Sequence, residues 1–267
     1  MKKNLMALGV ATTCVMMSAT GAQAFNFTTQ ASNFDPISTA NPKEDIFLKS
    51  ITVGNKVIED FVFVTSATIN QNDPRDLNAA DNTNNSGAAS SDLGDNATVG
   101  VKAEDPNATN VVQSLGNNNL NSIIDTEDKG SFEITLEFGK AINNFLFWER
   151  GGNSKLGVRV GDKEVILDSG NPFMVGSKTN ETFTDAAFDI DTTEIGSKQS
   201  VFSYGLSLAD LGLGRAKTIT VFSNGSSFNG PDFKVVGAQV PEPATMLGLG
   251  LVAGAGFLAS RRKQAEA

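Results

Sequence analysis

The chain has 267 residues, a formal net charge of −9, no histidine and a single cysteine. Without histidine there is no Ser-His-Asp or Cys-His catalysis and no His-bearing zinc site. Cys14 lies in a segment read as removable, so disulfides and cysteine-based zinc sites are excluded as well.

Met1–Ala24 opens on Lys2 and Lys3, runs apolar from Leu5 to Met17 and closes on Ala22-Gln23-Ala24. The apolar run is too short for a permanent membrane span. Ala22 and Ala24 form a small-x-small cleavage site, so residues 1–24 read as a secretory signal peptide. Its partners are the secretion translocon and signal peptidase, and the mature chain begins at Phe25. Cys14 sits in mid-run with Met16 and Met17 behind it, which does not suit a lipoprotein cleavage site.

Residues 25–240 read as one mainly β domain, expected as an antiparallel β-sandwich or jelly-roll-like fold. Ile51-Thr52-Val53 is followed by Gly54-Asn55 and then by Phe61-Val62-Phe63-Val64. Phe132, Ile134, Leu136 and Phe138 alternate with Glu133, Thr135 and Glu137, the pattern of a half-buried strand. Phe145-Leu146-Phe147-Trp148 comes next, then Val158-Arg159-Val160 and Glu164–Leu167 around Gly161-Asp162. Both Gly-Asn and Gly-Asp are hairpin signals. Strands at 201–204, 218–222 and 233–236 complete the set. The phenylalanines, 18 in the whole chain, read as core because Phe buries large area without a polar group. Asn70 to Asn121 is rich in Asn, Asp, Ser, Ala and Gly and reads as a long polar loop or insertion, with one short strand at Val99–Val101. Short helices are expected near 118–126 and 206–211.

Residues 25–240 carry 16 Lys/Arg against 28 Asp/Glu. Such a body repels a phosphate backbone, so nucleic acid is not expected as a partner. It suits hard divalent cations, calcium above all, or serves solubility alone. Asp189, Asp191 and Glu194 are the densest acidic group and the candidate calcium ligands. Asp125, Glu127 and Asp128 form a second group. A loop from Asp81 to Asp92 matches the helix-loop-helix calcium template poorly, with Thr83, Ser86 and Asp92 at its third, sixth and twelfth positions. The competing reading is solvated turn chemistry for the two acidic groups and a disordered polar loop for the Asp81 stretch, and no cofactor beyond a structural calcium is expected.

Trp148, Glu149, Arg150 and Asn153 flank a Gly-Gly turn and read as a candidate ligand patch, with the indole as a platform for a sugar face. The competing reading places Trp148 in the core with Glu149 and Arg150 as a strand-end ion pair. Alternation sends Phe145 and Phe147 to one face and Leu146 and Trp148 to the other, so a two-layer fold needs a cover for one pair. Glu133 and Glu137 would stand about 13 Å apart on one strand face, too far for either usual glycosidase geometry. No nucleophile-elbow, phosphate-loop or dinucleotide motif is present.

At the far end Pro241, Glu242 and Pro243 precede an uncharged stretch at 244–260, followed by Arg261, Arg262 and Lys263. As a helix the stretch reaches about 25 Å, a marginal membrane span. The cations stay cytoplasmic, which leaves the body outside the inner membrane. Pro241-Glu242-Pro243, the Gly/Ala/Leu-rich stretch and Arg261-Arg262 together resemble a PEP-CTERM sorting signal over 241–263. That resemblance implies recognition and removal of the tail by exosortase, a membrane cysteine protease-transpeptidase. The blocks NNNLNSIIDTED, FLFWERGGNSKLGVRV, DIDTTEIG, GLSLADLG and GSSFNGPDFKVVG resemble an exosortase-dependent surface protein family found largely in cyanobacteria. That second resemblance implies a secreted β-rich domain and no defined site. The expected function is a non-enzymatic surface or extracellular-matrix protein, adhesive, structural or glycan-binding, with extracellular polysaccharide as a partner. The alternative is a calcium-dependent carbohydrate-active enzyme with paired carboxylates.

Overall fold

A computed structural model of the protein describes residues 24–74, 88–168, 184–194 and 196–240. Residues 1–23 of the expected signal peptide 1–24 and the sorting signal at 241–263 lie outside the described residues, as does most of the Asp81–Asp92 loop.

The body is mainly β and antiparallel. Three sheets of eight, five and three strands account for it. At the centre of the eight-stranded sheet, Asn144–Arg150 pairs with Gln199–Ser207 on one side and Asp232–Ala238 on the other. All seven of its residues are buried. Phe145 and Phe147 enter a core shared with the five-stranded sheet, where they meet Phe132, Ile134, Leu136 and Phe138 from the alternating strand Ser131–Ile142. Leu146 and Trp148 enter a second core, shared with Phe27, Leu48, Ile51 and Ile58. The small sheet of Thr28–Ala31, Leu48–Val53 and Lys56–Ile58 contributes to this second core. A two-layer reading left one face of the central strand open; the structure covers both.

The two hairpins form where the Gly-Asn and Gly-Asp pairs stand. Val53 pairs with Lys56, and Val160 with Lys163. Gly54 and Gly161 each have φ of +60°, while Asn55 and Asp162 stay at negative φ. Positive φ on the first turn residue alone matches a type II′ turn, which glycine enters without strain.

The described part of the segment 70–121, residues 70–74 and 88–121, holds more regular structure than its composition suggests. Ala89–Leu93 is a strand paired with Ser122–Thr126, and Ala108–Leu115 is a helix. Val99–Val101 is not a strand; Ala103 instead bridges Ser91. The helix starts because Asn107 accepts a hydrogen bond from the Asn110 N–H while its own N–H donates to the Asn110 side chain, both at 3.1 Å. Val111 and Leu115, four apart, bury one face. Asn107→Ala should lower the unfolding free energy by about 1 kcal/mol, measurable as a fall in the urea midpoint at unchanged slope. At the other end, the buried Lys234 Nζ donates to the Ser114 carbonyl at 2.5 Å and to Asn117 Oδ1 at 3.1 Å. Burial pushes its pKa well down.

In place of the expected helix at 118–126 there is a turn and then the strand Ser122–Thr126. Ile123 and Ile124 face opposite cores, which only an extended segment permits, and branched side chains favour it. At 206–211 the strand runs to Ser207, and a single 3-10 turn follows at Ala209–Leu211.

Candidate functional site

The central strand ends on Arg150, which register places opposite Asp232 on the neighbouring strand. The next strand of that sheet, Ser122–Thr126, brings Asp125 alongside. The guanidinium donates from Nη2 to Asp125 Oδ2 at 2.6 Å and to Asp232 Oδ2 at 2.7 Å, and from Nε to Asp232 at 3.1 Å. Its Nη1 donates to the Thr192 hydroxyl. Asp232 Oδ1 accepts the Thr126 N–H at 2.8 Å, which locks the two strand ends together. The Arg150 side chain is 1% exposed.

Asp92, from the edge strand Ala89–Leu93, and Glu194 complete the cluster. A carboxyl oxygen from each of Asp92, Asp125 and Glu194 lies within 4.8 Å of the others. Asp92 accepts from the Leu93 N–H at 2.8 Å and from the Thr193 hydroxyl at 2.5 Å. Glu194 sits at the rim, hydrogen-bonded to the carboxyl of half-buried Glu104. Five carboxyl groups thus form one connected cluster, two of them held on the guanidinium.

Their protonation follows from that imbalance. Burial, the Glu104 carboxyl and the charges of Asp125 and Asp92 push Glu194 up to about 9. Burial raises Asp125 and Asp232; Arg150 pulls both down, but their other carboxyl neighbours add to the rise. Burial works against the Arg150 charge, yet Asp232 and Asp125 outweigh it and hold the guanidinium ionised. At neutral pH the Glu194 carboxyl, at the rim of the cluster, therefore holds a proton. A calcium ion has oxygen ligands at about 2.3–2.6 Å, so oxygens on opposite sides of one ion stand up to about 5 Å apart. Asp92, Asp125 and Glu194 fit that requirement and offer hard oxygen ligands only.

The sequence-derived candidates divide among several places. Of the group Asp189, Asp191 and Glu194, only Glu194 reaches the cluster. Asp189 takes Lys198 at 2.7 Å and the Ser200 hydroxyl at 2.9 Å, and Lys198 lowers its pKa. Asp191 lies 3.5 Å from the Lys43 ammonium, with its other oxygen buried and without a hydrogen-bond partner. The second acidic group contributes Asp125, and the poor loop template contributes Asp92.

The Trp148 patch does not assemble into one surface. Trp148 is 1% exposed, donates its indole N–H to the Thr29 hydroxyl at 2.9 Å and meets Phe27 edge-on at 5.3 Å. Its ring offers no open face to a sugar, because the second core closes over it. Glu149 turns to the opposite face from Arg150 and accepts the Gly152 N–H at 2.8 Å. Burial pushes Glu149 up to about 8, a rise that hydrogen bonds from the Gly152 N–H and the Ser154 side chain only partly offset. Asn153 is exposed in the turn that follows.

Asp232, Thr192 and Glu104 escaped the sequence reading. A usable signal was present: Glu149-Arg150 and Asp232 directly abut apolar strand runs, so their charges are drawn to the buried ends of the sheet.

Comparison with known protein families identifies a PEP-CTERM protein-sorting motif at residues 239–263. No curated protein and no solved structure matches the chain. The motif marks the chain as an exported protein of the exosortase-sorted class. It implies a membrane-anchored precursor, exosortase as its processing partner and sorting to the cell surface. The resemblance of the body to a cyanobacterial family finds no support in these comparisons.

Proposed function

We propose that this protein is a non-enzymatic component of the cell surface or extracellular matrix, with its β body serving as a sandwich-like scaffold for adhesion, matrix structure or glycan binding. The sorting motif at 239–263 carries the reading. Two features of the body support it. The buried carboxyls Asp125 and Asp232 are held on Arg150, which leaves them poorly placed for acid-base work on a substrate. The one tryptophan is part of a core. In a strain lacking exosortase, the full-length tail-bearing chain should accumulate in the inner membrane. Unchanged processing there would remove the proposal. Intact mass of the secreted form should give an N-terminus at Phe25 and loss of the Arg261-Arg262 tail.

A structural calcium at Asp92, Asp125 and Glu194 is a second element of the proposal, favoured by the convergence of three carboxyls within 4.8 Å. Calcium at one hundred times its Kd would add about 2.7 kcal/mol to stability. The melting temperature should therefore rise by several degrees with calcium and fall back with chelator, and Glu194→Gln should remove most of the difference. Identical melting curves in calcium and in chelator would reject the ion.

A further inference from the structure

We infer that a groove beside Phe61 and Phe63 is a binding site for a neutral saccharide, an inference that rests on the glycan-binding reading above and gives it a location. The run Phe61-Val62-Phe63-Val64 divides by alternation. Val62 and Val64 are buried in the core between the two larger sheets, while Phe61 and Phe63 pack against the second core and stay half-exposed. They line a depression of about 420 Å³ between the strand Leu48–Val53, the segment 59–63 and the residues that follow the helix.

The lining combines two chemistries. Phenyl rings offer apolar faces to the C–H face of a pyranose ring. Around them stand planar hydrogen-bonding groups, the amide of Asn118 and the carboxylate of Glu59, suited to neighbouring hydroxyls. The wall is pre-formed. Leu48 N–H donates to the Asn118 carbonyl at 2.8 Å, and the Asn118 side chain donates back to the Leu48 carbonyl at 3.3 Å. Asn117 is fixed by the helix end and by Lys234. A few convergent polar groups on an apolar, rigid wall is the general make-up of a small-ligand site, and the volume is at the lower end of the usual range. That suits about one or two sugar rings rather than a protein segment.

Charge selects the class further. Asp60 is neutralised by Lys140 at 2.9 Å, while Glu59 and Lys49 are exposed on the rim and make no ion pair with a described residue. The rim is balanced, so it neither attracts a polyanion nor concentrates cations. A neutral hexose or N-acetylhexosamine chain fits; a uronic-acid polymer does not.

The test is a binding titration of the exported, processed protein with neutral oligosaccharides of two to six units, of hexose and of N-acetylhexosamine type, beside an anionic uronic-acid polymer. At least one neutral probe should bind. Phe61→Ala should weaken it at least tenfold, and the exposed rim variant Lys49→Ala/Glu59→Ala about threefold at unchanged melting temperature. The rim variant keeps the test open if Phe61→Ala fails to fold. Binding unaffected by both variants would overturn the groove while leaving glycan binding intact elsewhere. No binding by any probe would overturn both. Binding of the anionic polymer alone, or self-association lost in Phe61→Ala, would replace the saccharide with another occupant and overturn the inference.

Discussion

Arg150→Ala is expected to lower the unfolding free energy by about 3–5 kcal/mol, the largest single-residue loss predicted for the described body. Two buried carboxylates, Asp125 and Asp232, lose the one cation they share among the described residues. The Thr192 hydroxyl loses its donor as well. Most of that cost is desolvated charge left without a partner rather than lost attraction. Arg150→Lys should recover little, because a point-like ammonium cannot donate to Asp125, Asp232 and Thr192 at once. Removing all three charges together, with Arg150→Met, Asp125→Asn and Asp232→Asn, should cost less than Arg150→Ala alone. Urea denaturation at neutral pH reads all three variants. A loss below about 1 kcal/mol in Arg150→Ala would show the network to be dispensable.

Stability should also fall as the solution is made more alkaline. Glu149 and Glu194 have folded-state pKa values of about 8 and about 9, above their ordinary values. The folded chain therefore binds these protons more tightly than the unfolded chain does. Their stabilisation is complete below the unfolded pKa near 4.5 and is lost as pH rises through the folded value. Lys234 acts with the opposite sign, since burial depresses its pKa and the unfolded state is the one that binds its proton. The contribution of Glu149 is therefore best read as a difference between Glu149→Gln and the parent. Glutamine mimics the protonated acid and keeps an oxygen for the Gly152 N–H. The two proteins should be nearly equal in stability at pH 4.5. By pH 7 the variant should lead by about 2–4 kcal/mol, from about 1.4 kcal/mol per pH unit within the window. A pH-independent difference would mean that Glu149 is ionised in the folded protein. Under the calcium site proposed above, a divalent ion would displace the Glu194 proton, so calcium should stabilise more at pH 8 than at pH 5.

Local patterns were readable wherever one residue type controls one conformation. The hairpins at Gly54-Asn55 and Gly161-Asp162 follow from glycine's access to positive φ. Strict alternation from Phe132 to Phe138 identified the half-buried strand. The sorting signal was legible because tripeptide, apolar stretch and cations are contiguous. The errors came where context overrode composition. Asn107 and Asn110, counted as loop-formers, cap a helix with each other. Ile123 and Ile124 lie in a segment read as helical, yet their partner strands draw them into a sheet.

The acidic site shows the same division at longer range. Asp125, Glu194 and Asp92 each stood out in separate stretches, yet nothing local joined them, because 33 residues separate Asp92 from Asp125 and 69 separate Asp125 from Glu194. Asp189, Asp191 and Glu194, neighbours along the chain, have separate partners in space.

Residue order alone was enough to establish export, sorting and a mainly β body, since each depends on contiguous apolar and charged runs or on backbone preferences a few residues long. Tertiary packing decided the rest. It enclosed Trp148 by laying a small third sheet over a face that alternation had left uncovered. It also concentrated the acids around Arg150, because antiparallel register places the ends of distant strands side by side and the low-dielectric setting makes their charges act as one unit.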